Sequence, residues 1–168
     1  MSENPSSNEP LDLNSTVPAT LELDLVPGGK QSFGALRGQW IVLYFYPKDA
    51  TPGCTTEAND FNANLDRFAD SGARVIGVSR DSISSHEKFR AKQGLNFALA
   101  SDSDETLCQV FDVIHMKNMY GKQVRGIERS TFLIDPDGVI RHVWRKVKVP
   151  EHVDRVLVQL GEYREQAG

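Results

Sequence analysis

The feature that most constrains this 168-residue chain is an unbroken apolar and aromatic run at residues 40–46, WIVLYFY, ended by Pro47. A strand with one wet face alternates apolar and polar residues. A continuous run fits a strand buried on both faces, at the centre of a sheet covered by helices on each side. The residues that follow agree. Ala58, Phe61, Leu65, Phe68 and Ala69 form one apolar stripe at helical spacing, and Gly72 is the stop. Residues 74–79, RVIGVS, read as a second buried strand. A helix over 82–93 is capped by Ser82 or Ser84 and stopped by Gly94, and a short strand covers 96–100.

Residues 102–111 read as a helix turning Leu107, Val110 and Phe111 inward, followed by a polar, glycine-bearing loop over about 115–126. Residues 130–134 and 139–145 are two strands joined through Asp135-Pro136-Asp137-Gly138, a hairpin signal. A last helix over about 150–165 carries Val153, Val156, Leu157 and Leu160 on its inner face. Upstream, residues 20–26 alternate as a half-buried strand and turn at Pro27-Gly28-Gly29 into a short return strand, 30–33. Strand–helix alternation implies parallel pairing with helices on both faces. With the closing hairpin, the expected class is α/β, a thioredoxin-like order with a mixed central sheet and an N-terminal hairpin. Residues 16–168 read as one domain. Residues 1–15, rich in Ser, Asn, Pro and Glu, read as a flexible tail.

Composition narrows the function. The net charge of −4 argues against a nucleic-acid partner, and no apolar run approaches a membrane span. The first residues lack the features of a secretory signal, so a cytoplasmic location is expected. Two cysteines, Cys54 and Cys108, are too few for a disulfide scaffold or a four-cysteine zinc site. His86, His115, His142 and His152 lack metal-ligand spacing and read as surface residues. The basic residues Arg141, Arg145, Lys146 and Lys148 read as a solvated face that could dock an acidic reductant.

Chemistry concentrates where the buried strand ends, in YFYPKDATPGCTTEANDF. With Thr51 as N-cap and Pro52 at the first helical position, Cys54 falls in the first turn. Free backbone N–H groups and the positive end of the helix dipole lie there, and both favour a thiolate. A free cysteine, with a pKa of about 8.5, is only about 3% thiolate at pH 7. One helix terminus supplies about 1 kcal/mol, less than a tenfold change in ionisation, so a cation is needed as well. Arg129, just before the strand STFLI, can supply it if that strand runs antiparallel beside the one ending at Pro47.

The run Pro47-x-x-x-Thr51-x-x-Cys54 resembles the active-site motif of the peroxiredoxins. The context FYPKDATPGCTTEA, with DETLCQVFDV and KNMYGKQVRGIERSTFLID, is similar to the bacterioferritin comigratory protein, or Q-type, subgroup. The resemblance implies a thiol peroxidase for hydrogen peroxide and organic hydroperoxides, working through a Cys54 sulfenic acid. It implies that Thr51 hydrogen-bonds the peroxide. Arg129 would stabilise the thiolate and the breaking O–O bond, Pro47 would shield the pocket, and no metal or organic cofactor is needed. A monomer, or a weak dimer through the active-site face, is implied as well.

One departure matters. The subgroup places a resolving cysteine five residues after the first, here Asn59, or on the next helix, here SHEKFRAKQ with none. Cys108, framed by apolar residues, reads as a buried structural thiol. The expectation is a single-cysteine mechanism in which thioredoxin, glutaredoxin or a small thiol supplies the second sulfur. A Cys54–Cys108 mechanism and a redox sensor or chaperone are the alternatives. A disulfide reductase is disfavoured because no CxxC is present.

Overall fold

The strand β3, Trp40–Phe45, is buried at every residue. In the computed structural model, which describes residues 9–167, it occupies the inner part of a seven-stranded sheet. The other strands of that sheet are β1 (Glu22–Val26), β2 (Gly29–Ser32), β4 (Ala73–Ser79), β5 (Ala98–Ser101), β8 (Ser130–Ile134) and β9 (Ile140–Trp144). Their spatial order is β2-β1-β5-β4-β3-β8-β9. The pairs β3–β4 and β4–β5 are parallel, whereas β8 runs antiparallel to both β3 and β9. This is the mixed sheet of a thioredoxin-like α/β fold. Two strands, β6 (Ile114–Met119) and β7 (Lys122–Ile127), form a separate hairpin.

Alternation along β3 divides the core in two. Ile41, Leu43 and Phe45 face a cluster containing Cys108, Phe111, Phe132 and Ile127. Val42, Tyr44 and Tyr46 face another containing Cys54, Phe61, Phe68, Phe89 and Leu160. The helices α1 (Pro52–Ala63), α2 (Leu65–Asp70), α3 (Ile83–Gln93) and α5 (His152–Ala167) contribute to the second cluster. The short α4 (Thr106–Val110) contributes Leu107 and Cys108 to the first.

Several expectations need correction. The stripe from Ala58 to Ala69 predicts one helix, but Asn64 divides it. Its amide Nδ2 donates to the Asp60 carbonyl at 2.8 Å, and its backbone N–H turns to Phe61, a local side-chain competition that breaks the ladder. The loop expected over 115–126 is the β6–β7 hairpin. Tyr120 and Gly121 both take positive φ, 52° and 79°, as a two-residue type I′ turn requires. Most of its side chains are exposed, so it carries no apolar alternation to read. Arg125 on β7 clamps the hairpin to Glu105 with bonds of 2.7 and 2.5 Å, and Arg80 joins at 3.0 Å. Hydrogen bonds from these two arginines hold the Glu105 carboxyl down at about 2.

The predicted helix over 102–111 is shorter because Asp102 caps it from a distance, accepting the N–H groups of Leu107 and Cys108 at 2.9 and 2.8 Å. Of the expected tail, residues 1–8 lie outside the described residues. From Leu11 onward the chain is held to the body. Leu11 donates to Val110, and Asn14 and Ser15 pair with Ile140. His86 and His152 are buried rather than exposed. The basic face is partly tied down as well: Arg145 donates to the Asp112 and Phe111 carbonyls and lies over the Phe132 ring, and Arg141 pairs with Asp135. Among the described residues, no helix is long and apolar enough to cross a membrane.

Gly77 on β4 shows how tightly the sheet face is packed. A Cβ there would stand 2.8–2.9 Å from three atoms of the Tyr44 phenol, which stacks on Phe61 at 4.6 Å. Gly77→Ala is expected to lower stability by about 1–3 kcal/mol through overpacking, measured by denaturant unfolding. An unchanged midpoint would mean that Tyr44 can move freely.

Candidate active site

The end of β3 and the start of α1 present the site. Thr51 occupies the N-cap position with extended backbone, and Pro52 takes the first helical position. The first intrahelical bond runs from the Thr55 N–H to the Thr51 carbonyl, at 2.9 Å. The N–H groups of Gly53 and Cys54 therefore precede the ladder and belong to the positive end of the helix. Cys54, at the third position, is 2% exposed. The Thr51 hydroxyl does not cap the helix. It donates to the Lys48 carbonyl at 2.9 Å, which leaves its lone pairs as acceptors.

Arg129 reaches this seam because β8 runs antiparallel to β3. Ser130 pairs with Phe45, so the residue before Ser130 lies beside the loop that follows β3. Its Nη2 stands 3.5 Å from the Cys54 sulfur. Its Nη1 donates to Glu57 Oε1 at 2.6 Å. A Cβ at Gly53 would lie 3.2 Å from Nη2, so the absence of a side chain there opens the guanidinium's path to the sulfur.

The sequence does not single out Glu57 as a site residue. It lies three residues after Cys54, on the same face of α1. Its side chain is wholly buried, and Oε2 has no hydrogen-bond partner. Burial pushes its carboxyl up to about 7, against the opposing pull of Arg129. The Tyr44 hydroxyl is also buried without a partner. Burial, then the neighbouring Glu57 and Cys54, hold that phenol well above its ordinary range.

Pro47 and Arg129 share a surface cavity with Met116, Lys117, Lys146 and Val147. Lys117, on the hairpin, is half-buried. Burial and then Arg129 hold its ammonium below the ordinary lysine range, while Cys54 opposes them. The loop between Pro47 and Thr51 is anchored on its other side. The buried Asp49 accepts from Tyr46 at 2.5 Å and Ser85 at 2.8 Å, and lies 2.7 Å from His86 Nδ1.

Cys108 is not brought to this site. It lies in the cluster on the opposite side of β3. Burial and then the neighbouring Asp102 push its thiol far above the ordinary range. Where the resemblance would place a second cysteine, Asn59 stands at the first position and its Nδ2 donates to Gln93 Oε1 at 3.3 Å, and the stretch 85–93 on α3 holds no cysteine.

A thioredoxin-like sheet that carries a buried thiol at a helix start, under a guanidinium, defines a thiol-based redox enzyme. The comparisons sharpen that class. Residues 15–143 match the AhpC/TSA family. The chain is 58% identical to peroxiredoxin Bcp of Xanthomonas campestris pv. campestris over 146 residues, covering 87% of this chain and 91% of that protein. It is 48% identical to peroxiredoxin Bcp of Bacillus subtilis over 146 residues, 87% of this chain and 93% of that one. Among solved structures it superposes on the Xanthomonas campestris bacterioferritin comigratory protein, studied for alkyl peroxide reduction. The TM-score is 0.84 at 55% identity, covering 90% and 98% of the two chains. A cysteine-to-serine variant of Xylella fastidiosa PrxQ gives a TM-score of 0.87 at 47% identity, covering 92% and 98%. The chain belongs to the AhpC/TSA family. It is a peroxiredoxin of the Bcp type, and its activity is that of a peroxidase.

The raised Glu57 carboxyl gives a pH signature. Its ordinary value is 4.5 and its folded value about 7. The stability this group contributes is full below pH 4.5 and is lost as pH rises through 7, because the folded state holds the proton longer. The span corresponds to on the order of 3 kcal/mol. Glu57→Gln should flatten the stability profile between pH 4.5 and 7 relative to the parent, measured by urea unfolding at each pH. Parallel profiles for the two proteins would refute this assignment.

Proposed function

We propose that Cys54 is the residue that attacks the peroxide, and that the catalytic cycle uses this one cysteine. The observation that carries the reading is the 3.5 Å approach of Arg129 Nη2 to the Cys54 sulfur at the start of α1. The thiolate attacks the terminal oxygen of a hydroperoxide, the S–O bond forms and the O–O bond breaks. Cys54 becomes a sulfenic acid, and the departing alkoxide or hydroxide takes a proton to give alcohol or water. Arg129 stabilises the negative charge on the sulfur and then on the oxygens as they separate. Thr51 receives the peroxide hydrogen on its hydroxyl lone pairs, and Pro47 shields one side of the cavity. Hydrogen peroxide and small organic hydroperoxides fit this scheme.

An external thiol then attacks the sulfenic sulfur and releases water, leaving a mixed disulfide. A second thiol frees Cys54 and leaves as a disulfide. Thioredoxin, a glutaredoxin or a small thiol can each fill that role in a reducing, cytoplasmic setting. Three features support one working cysteine: the sheet between Cys54 and Cys108, the raised Cys108 thiol, and the lack of a cysteine at Asn59 and over residues 85–93. We place the activity in residues 16–168, with the N-terminal segment outside the catalytic unit.

The test is intact-protein and peptide mass spectrometry after one equivalent of peroxide with a sulfenic-acid trap. Trapped Cys54 and free Cys108 are expected. An intramolecular Cys54–Cys108 disulfide as the main product would overturn the single-cysteine reading. Turnover with added thiol should vanish in Cys54→Ser and stay within twofold in Cys108→Ser.

Arg129→Lys keeps the charge but cannot reach both Glu57 and the sulfur. A lost charge-assisted hydrogen bond of about 1.5–3 kcal/mol corresponds to a fall of roughly 10- to 100-fold in kcat/KM. Steady-state peroxide consumption checks it, and a rate equal to the parent's would remove Arg129 from the mechanism.

A further inference from the structure

The β6–β7 hairpin gathers most of the exposed apolar surface. Among the described residues six large hydrophobic side chains stand exposed, and four of them, Met116, Met119, Tyr120 and Val124, lie on this hairpin. Tyr120, at the turn, is 99% exposed. The fold needs none of the four. The hairpin is seated through Ile127, which is buried in the core, through Ile114, which packs against it, and through the Arg125–Glu105 clamp. Single exposed hydrophobes are ordinary, but a contiguous group marks a contact surface. Methionine suits such a surface because it adapts its shape, and tyrosine because its body is apolar and its tip polar.

The strand register places this group. Lys117 pairs with Val124, and Met119 with Lys122. Opposed residues, and residues two apart along a strand, share one face. Met119 and Val124 therefore stand beside Lys117 and Lys122. Lys117 and Met116 also line the cavity that contains Pro47 and Arg129, so the apolar group is continuous with the rim of that cavity.

The charge on this side is one-sided. Residues 113–148 contain eight basic and three acidic residues, in a chain whose net charge is −4. Arg125, Arg129 and Arg141 are paired with carboxylates, and Arg145 with carbonyls. Two exposed lysines have no partner among the described residues: Lys122 on the hairpin and Lys146 on the cavity wall. A second copy seated face to face would set these lysines against themselves. An acidic protein is drawn to this side and repelled by the rest of the chain, so it arrives oriented. The patch is small, which suits a brief redox encounter rather than a lasting complex.

We propose that the β6–β7 hairpin, through Met119, Tyr120, Lys122 and Val124, is the docking surface of the external reductant, and that this reductant is a protein dithiol with an acidic face beside its reactive thiol. This deepens the reading of Cys54 as the one working cysteine and rests on it. In the step that docking serves, one thiol of the partner attacks the Cys54 sulfenic sulfur. An S–S bond forms, the S–O bond breaks, and the hydroxyl leaves as water with the thiol proton. The partner's second thiol then displaces Cys54, and the partner leaves as a disulfide, oxidised by two electrons. A small thiol performs the same steps without touching the hairpin.

The test follows reduction of preformed Cys54 sulfenic acid in the full chain by stopped flow, with an acidic thioredoxin, an acidic glutaredoxin and dithiothreitol as reductants. With Met119→Ser and Lys122→Glu combined, the faster of the two proteins is expected to react roughly tenfold more slowly or worse, and to lose most of the salt dependence seen with the parent. Dithiothreitol, and hydrogen peroxide in the preceding oxidation, should react within twofold of the parent. Val124→Ser and Lys122→Glu alone should each slow the protein reductant by roughly two- to fivefold. These side chains are exposed, so the urea midpoint should not move.

A protein reductant that reacts with the double variant within twofold of the parent would overturn the proposal. So would equal slowing by dithiothreitol, or a parent reduced by dithiothreitol but by neither protein. A parent dimer lost in the double variant would assign the hairpin to a second copy, and cosedimentation with phosphatidylglycerol vesicles would assign it to a lipid surface; either result overturns the proposal. A parent whose Cys54 forms no sulfenic acid would instead overturn the reading on which the proposal rests.

Discussion

One guanidinium joins the two halves of the site. Arg129 reaches Cys54 with one nitrogen and Glu57 with another, and each part of the fold makes that possible. The antiparallel register of β8 against β3 delivers the arginine to the end of the buried strand. The helical spacing of three residues puts sulfur and carboxylate on one face of α1. The missing side chain at Gly53 leaves the path open. Because the carboxylate is wholly buried, its charge state governs how much of the guanidinium's field is left for the sulfur. A protonated Glu57 leaves the cation free to act on Cys54, while an ionised one shares it. The site therefore links a proton-binding group to a buried thiol through a cation that stays charged throughout.

The two cysteines illustrate how location decides chemistry. Both are buried thiols near helix starts, and Cys108 even has its N–H bonded to a carboxylate. The difference is the sign of the neighbouring charge. Cys54 lies 3.5 Å from the Arg129 guanidinium, whereas Cys108 faces the Asp102 carboxylate, which with burial opposes its ionisation. The central sheet lies between them, so the two sulfurs belong to separate halves of the core.

Much of this was legible in the sequence for reasons that can be named. The apolar run at 40–46 can only be central, and Pro47, Pro52 and Cys54 mark the seam that follows it. Ser82 and Gly94 bound α3 because a cap and a left-handed glycine are local devices, and both are seen. Arg129 was legible through its place before a buried strand. The hairpin over 114–127 was not, because its residues are mostly exposed and its stability comes from a turn and the Arg125–Glu105 clamp rather than from patterning. Glu57, Asp49 and His86 were hidden for another reason. Charged residues on a helix or in a loop ordinarily face water. Only tertiary contacts reveal that these three are buried and paired.

The departures from ordinary packing are not scattered. Between Tyr44 and Glu57 lie two buried polar atoms without partners and a left-handed alanine. The same segment contains Asp49, a buried carboxylate whose bonds to Tyr46, Ser85 and His86 offset its burial. The strained residue and the unsatisfied groups each cost stability, of the order of 1–3 kcal/mol. The strands behind them, β3, β4 and β8, are as well packed as any part of the molecule, with large aromatics buried on both faces of β3. The turn that holds the Cys54 sulfur against Arg129 thus stands where a fully packed sheet gives way, within a few residues, to a strained residue and unpaired polar atoms, and the Asp49 bonds to Tyr46, Ser85 and His86 are what tie that seam to the body.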